Sequence, residues 1–164
     1  MSRTRPTLTV DRATSEEIEA LEALRRAAHE PLRALRRARL GDAIYRATQQ
    51  GADEGQAARL ASQVRGEEGW EVLVGRLQGR SVAFLALRLR AAESVGELGL
   101  FAVHPGERGH GIGGALLDSA LTRMRLEGLT VATVAAAEDP ETEALYAQAG
   151  FDVSLPGARV AREL

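Results

Sequence analysis

The segment 103–117 reads VHPGERGHGIGGALL, with five glycines between an apolar alternating run and a run of helical period. No other part of the chain limits the possible folds as much. An ordered glycine costs conformational entropy, so several together mark backbone that must turn sharply or be approached closely. Downstream, Ile112, Leu116, Leu117, Ala120, Leu121 and Met124 fall on one helical face, and Gly128 is placed to end that helix. A strand therefore runs into a glycine loop that opens a helix. The N-terminus of a helix presents unpaired N–H groups and a partial positive charge, which suits a phosphate, and Arg108 just before it can add charge.

Two phosphate-binding patterns fit the same letters. Gly109, Gly111 and Gly114 satisfy G-x-G-x-x-G, the dinucleotide fingerprint, with Glu138 or Asp139 downstream at about the distance a ribose needs. Arg108, Gly111 and Gly113 satisfy R-x-x-G-x-G, a pyrophosphate loop of the kind that binds coenzyme A. Context separates them. The dinucleotide fingerprint starts almost at the end of a strand near the beginning of a doubly wound sheet. Here Pro105, Gly106, Glu107 and Arg108 intervene and three strand-like runs come first. Too little chain follows for a second mononucleotide half.

The rest of the chain gives the order of elements. Residues 7–12 alternate as a strand, and Thr14 with Glu17 has the form of a capping box. Ile18, Leu21, Ala23, Leu24 and Ala28 fit a helix that Pro31 is expected to break; helical stretches at 32–48 and 57–64 follow. The period then changes. Residues 70–77, 81–89 and 96–103 read as consecutive strands, the first two joined by a hairpin turn at 78–80. Residues 129–137 form a short apolar strand and 141–149 a helix stopped by Gly150; two closing strands surround Pro156 and Gly157. The expected class is α/β, a mixed and mostly antiparallel sheet flanked by helices, in a single domain over 1–164.

Composition removes several chemistries. The chain has no cysteine, so disulfides and thiolate ligands are excluded, and all 21 basic residues are arginine, which excludes lysine Schiff bases and the Walker-A lysine. The three histidines, His29, His104 and His110, lack metal-binding spacing, so no metal is expected. A net charge of −2 gives no general attraction to nucleic acid. No run is long and apolar enough for a membrane span, and no apolar core of signal-peptide length follows Arg3 and Arg5; the expected location is cytoplasmic.

With these elements in order, the sequence resembles the GNAT superfamily of N-acetyltransferases. GLFAVHPGERGHGIGGALL is similar to its strand and pyrophosphate-loop signature, V-x-P-x-x-R-G-x-G-I/L-G. DPETEALYAQAGF, residues 139–151, is similar to its second signature, N-x-x-A-x-x-L-Y-x-x-x-G-F. Two signatures about thirty residues apart and in the right order are far more specific than either alone. The resemblance implies acetyl-coenzyme A as acetyl donor and a primary amine as acceptor, a small molecule, peptide or protein, with direct transfer in a ternary complex. A non-catalytic acyl-coenzyme-A sensor of the same fold is the alternative, and pairing into homodimers is a habit of the family.

The resemblance also implies roles. Phe101, Ala102 and Val103 would face the pantetheine arm, the Val103 N–H polarising the acetyl carbonyl. Amides of Arg108, Gly109, His110, Gly111, Ile112, Gly113 and Gly114 would hold the pyrophosphate. Asp139, standing where the family has asparagine, and Tyr146 would lie at the other side of the cofactor. Tyr146 is the expected acid for the departing thiolate, since a phenol has a proton to give at neutral pH. Glu97 is a candidate base, because strand alternation would put it on one face with Phe101 and Val103; Glu93 and His104 are weaker ones. Arg33, Arg36, Arg37 and Arg39 read either as a solvated face or as an attraction for an acidic acceptor, and Tyr45 and Trp70 either as packing or as pocket lining.

Overall fold

The computed structural model describes residues 6–135, 140–155 and 159–164. The chain runs β1 (Leu8–Arg12), α1 (Ile18–Leu40), α2 (Asp42–Thr48), α3 (Gln50–Val64), β2 (Trp70–Leu77), β3 (Arg80–Arg90), β4 (Val95–Val103), α4 (Ile112–Leu126), β5 (Val131–Ala135), α5 (Pro140–Gln148), β6 (Val153–Leu155) and β7 (Arg159–Glu163). The seven strands form one sheet in the order β1-β2-β3-β4-β5-β7-β6. Every neighbouring pair is antiparallel except β4 and β5. The mixed, mostly antiparallel α/β class expected from the sequence is the one observed.

Local signals account for most boundaries. The β2–β3 hairpin turns on Gln78 and Gly79, both at positive φ (51° and 78°), the conformation that matches the twist of the flanking strands. At the start of the helical region the Thr14 N–H donates to the Glu17 carboxylate at 2.8 Å, one half of the capping box. The six apolar positions foreseen on one face of α4 are all buried.

Each face of the sheet has its own core. On one, α4 and α5 cover Leu85, Leu87, Leu98, Phe101 and Val103; Leu116, Leu117, Tyr146 and Phe151 belong to this cluster. On the other, α1 and α3 cover Val72, Val74, Phe84, Ala86, Leu100 and Ala102 through Leu21, Leu24, Ala28, Leu60 and Val64. Arg25 is buried in α1 without being isolated: Glu22 accepts two hydrogen bonds from it and Gln56 of α3 a third, at 2.8 Å.

Pro31 corrects one expectation. It does not break the first helix but lies inside α1, which continues to Leu40. A proline ring removes one ladder bond and crowds the carbonyl four residues earlier, so the turn before it is loosened. Two neighbouring carbonyls of that turn accept from guanidiniums: Arg33 donates to the Arg26 oxygen at 3.0 Å and Arg108 to the Ala28 oxygen at 2.7 Å. The turns before the proline are anchored on the sheet through Leu21, Leu24 and Ala28.

Candidate active site

The parallel pair of β4 and β5 is short. Among the described residues it runs from Val95 opposite Val131 to Leu98 opposite Val134, while β4 continues to Val103. On its other edge β4 stays paired with β3, but the register slips between Leu85–Phe101 and Leu87–Leu98, so Gly99 and Leu100 form a bulge opposite Ala86. Among the described residues, β4 has no β5 partner from the bulge onward.

Pairing geometry fixes what the open edge presents. The His104 N–H donates to the Val82 carbonyl at 2.7 Å, which makes Ala83 and Val103 a non-hydrogen-bonded pair. Hydrogen-bonded and non-hydrogen-bonded pairs alternate along an antiparallel ladder, so Leu85 and Phe101 are the next non-hydrogen-bonded pair. The N–H and C=O of both Phe101 and Val103 thus point away from β3, to the edge of β4 that has no partner among the described residues.

The same strand leads through a single turn, 105–107, into the glycine loop. His104 closes this turn by accepting the Gly106 N–H on Nδ1 at 3.0 Å. Glu107 is tied to Arg80 at 2.5 Å, and His110 Nδ1 lies 3.2 Å from the Glu107 carbonyl. Gly111 is the residue before α4 and has φ +77°, a left-handed conformation costly for other residues. After it, the N–H groups of Ile112, Gly113 and Gly114 have no carbonyl one turn earlier to bond. A side chain at Gly113 would come within 3.2 Å of both Leu145 and Phe101, so its absence lets α4 pack tightly between β4 and α5. Bare amides at a positive helix end lie directly after the open edge, an arrangement that fits a phosphate on an extended arm.

Tyr146 is brought to this edge by α5. It is 5% exposed, its ring 6.3 Å from that of Phe101 and 5.7 Å from that of Phe151. Arg108 sends its guanidinium to the Ala28 carbonyl and stands 3.8 Å from Glu141. Asp139 lies outside the described residues.

Glu97 is elsewhere than alternation implies. Leu98 shares a face with Phe101 and Val103, because the bulge adds a residue between them; Glu97, next to Leu98, is on the opposite face, toward α1 and α3. There Arg88 approaches at 2.6 Å and Arg90 at 2.9 Å. Burial raises its affinity for a proton, but the hydrogen bonds and charges of Arg90 and Arg88 outweigh that and hold its carboxyl below the ordinary value. Arg88 itself lies 5.1 Å over the Trp70 ring.

Two residues at this site had no role in the sequence reading beyond the metal question. His29 of α1 places Nε2 3.2 Å from the Phe101 carbonyl on the open edge. Gln63 of α3 is buried with neither amide atom hydrogen-bonded among the described residues, and its Nε2 lies where a side chain at Gly99 of the bulge would be. Gly99 was the one legible signal for the bulge, since glycine inside a strand marks such places. The arginine cluster is largely paired: Arg33 with Glu30 at 2.5 Å, Arg36 with Asp53 at 3.8 Å and Arg37 with Asp42 at 3.5 Å. Between α1, α2 and α3 an open cavity of about 700 Å³ is lined by Arg25, Arg26, Arg33 and Arg37 and by the acids Glu30, Asp42, Asp53 and Glu54; Tyr45 on its wall donates to Asp53.

A sheet split beside a parallel pair, with a glycine-opened helix next to the split, defines the N-acetyltransferase class of fold. The acetyltransferase (GNAT) family model matches residues 22–151. This chain belongs to the GNAT acetyltransferase family. Solved structures agree on the fold. A PaiA N-acetyltransferase from Thermoplasma acidophilum, crystallised with coenzyme A, is 14% identical with TM-score 0.73 over 96% of this chain and 99% of its own. The ribosomal-protein-S18-alanine N-acetyltransferase of Escherichia coli is 16% identical with TM-score 0.70, over 96% and 94%. A GNAT acetyltransferase of Brucella melitensis, solved with acetyl-coenzyme A, is 16% identical with TM-score 0.67, over 98% and 90%. No curated protein matches the sequence. Among the described residues no helix is long and apolar enough to cross a membrane.

Proposed function

We propose that this protein is an acetyl-coenzyme-A-dependent N-acetyltransferase that acts on a primary amine by direct transfer in a ternary complex. It works as a single domain over 1–164, in the cytoplasm. The observation that carries this reading is the open edge of β4, with outward amides at Phe101 and Val103 leading into the bare N-terminus of α4. The co-substrate supplies a thioester and a diphosphate. The protein supplies a strand edge for the pantetheine amides, with an N–H from Val103 or Phe101 for the carbonyl oxygen as it gains charge. The amides from Arg108 to Gly114 hold the diphosphate, with Asp139 near the other side of the donor. Tyr146 donates its phenolic proton to the departing sulfur. Glu97, committed to two guanidiniums, is a weak proton acceptor.

The test has two arms. Coenzyme A at about a hundredfold over its Kd adds about 2.7 kcal/mol to stability, so it raises the Tm by several degrees while NAD leaves it unchanged. Free thiol is then measured with acetyl-coenzyme A against a panel of small amines, polyamines and peptides. Release with one acceptor class supports the enzyme and names its substrate. A Tm rise without release from any acceptor means a sensor, and no rise with coenzyme A overturns the reading.

A further inference from the structure

We infer that the cavity between α1, α2 and α3 is a second ligand site, distinct from the β4 edge. It is built for a small zwitterion, an amino acid or short peptide with free ammonium and carboxylate groups. The site stands whether or not the chain transfers acetyl groups.

Its position separates it from the β4 edge. Helix α1 rests on the sheet through Leu21, Leu24 and Ala28. At about 100° per residue, Arg26, Glu30, Arg33 and Arg37 form a stripe on the opposite side of the helix. These four line the cavity.

The helices that enclose it are inverted. Packed helices normally bury an apolar stripe and leave their charges outside. Here Leu35 and Ile44 are 47% and 54% exposed, while charged side chains face the cavity together with Ala34, Ala38 and Gly41. Tyr45 is buried on the wall, its hydroxyl bound to Asp53 and its ring 4.9 Å from the Arg37 guanidinium. The small residues of α1 leave about 700 Å³ unfilled, a volume in the range of small-ligand pockets.

The charges of the lining select the ligand. Four arginines meet four acids, so the wall has no net charge and favours neither a bare anion nor a bare cation. The signs are sorted by side. All four arginines are on α1, and three of the acids, Asp42, Asp53 and Glu54, lie across the cavity on α2 and α3. A carboxylate is therefore drawn to α1 and an ammonium to the facing wall.

One donor of the arginine wall lacks an acceptor. Arg33 gives Nη2 to Glu30 and to the Arg26 carbonyl, but its Nε is buried with no partner among the described residues. A buried donor on a charged group is costly to leave unpaired, and an anionic oxygen from a ligand removes that cost. Arg37, one turn further along, stands 3.5 Å from Asp42, a loose pair that can yield to a shorter bond. Arg25 is already held by Glu22 and Gln56, which leaves Arg33 and Arg37 as the receiving pair. Opposite them, Glu54 accepts from Gln50 on Oε1 at 3.0 Å, and its Oε2 has no partner among the described residues.

The probe is glycylglycine, which carries both charges. It is compared with N-acetylglycylglycine, which keeps the anion alone, and glycylglycinamide, which keeps the cation alone. Binding is followed without any acetyl donor, by NMR of the arginine Nε–H groups and the Tyr45 ring. Glycylglycine should shift the Arg33 Nε–H signal saturably, and each capped form should bind about tenfold more weakly or worse, the loss of one charge-assisted contact. Arg33→Ala and Glu54→Gln should each raise the Kd for glycylglycine by about tenfold, read on Tyr45. Glu54 is exposed, so its variant keeps the test decisive if Arg33→Ala does not fold. Coenzyme A should leave dipeptide binding unchanged. An unmoved Arg33 signal, equal affinity for a capped form, unaltered binding in Glu54→Gln or displacement by coenzyme A would each overturn the inference. Failure of coenzyme A to raise the Tm would instead refute the acetyltransferase reading and leave this site standing.

Discussion

Tyr146 is the residue where packing and chemistry are easiest to separate. Its ring fills a place between Phe101, to which it is tilted, and Phe151, which it meets edge-on, and aromatic pairs of this kind are worth about 0.5–1.5 kcal/mol beyond area burial. Phenylalanine preserves the ring and deletes only the hydroxyl. Tyr146→Phe is therefore expected to keep the coenzyme A-induced Tm shift and to change stability by no more than about 1 kcal/mol, the usual net worth of one hydrogen bond. Turnover should drop about 10²-fold, the lower range for loss of a positioned acid. Thiol release and thermal melts on the same preparation check both. Unchanged turnover would leave Tyr146 as a core aromatic and move the acid elsewhere.

Among the elements, α1 and β4 show where local sequence stops determining structure. Proline in a helix interior costs about 3 kcal/mol relative to alanine, yet α1 passes through Pro31, although its buried residues Leu21, Leu24, Arg25 and Ala28 all lie before it. Pro31→Ala should restore the missing ladder bond and raise the unfolding free energy by about 1–3 kcal/mol, read from urea titration. A loss of stability would mean that the open turn, with its carbonyls given to Arg33 and Arg108, is a tertiary requirement rather than a cost. The period-based reading succeeded for α4, whose stripe from Ile112 to Met124 is as written, and for the Gln78–Gly79 hairpin, because both depend on nearest neighbours. Glu97 was misassigned to a face because one bulge reverses alternation for everything before it. The loop residues 108–114 were legible through their glycines. His29 was not, since its partner Phe101 lies 72 residues away and no local pattern links them.

At the scale of the whole molecule, ionised carboxylates are paired with arginines in several parts of the fold. Glu17, at the entry to α1, reaches Arg76 of β2 at 2.5 Å; Glu22 of α1 holds buried Arg25; Glu97 joins β4 to β3 through Arg88 and Arg90. In all three, burial favours the neutral acid, but hydrogen bonds and arginine charge prevail and lower the pKa below its ordinary value. A carboxyl whose pKa is depressed by folding contributes stability that is complete above its unfolded pKa, about 4.3 for glutamate, and is lost as the pH falls through the folded value. The sign is fixed: the unfolded chain binds these protons first, so acid favours unfolding. Thermal melts between pH 7 and pH 3 should show a steep loss of Tm beginning near about pH 4.5. Glu22→Gln is the informative variant, because it removes the titrating group while leaving an acceptor for Arg25. It should melt lower than the wild type at pH 7, and the gap should narrow as the wild-type carboxyl becomes protonated. A gap that stays constant down to pH 3 would show that Glu22 acts through packing and hydrogen-bond shape, with its charge contributing nothing to the fold.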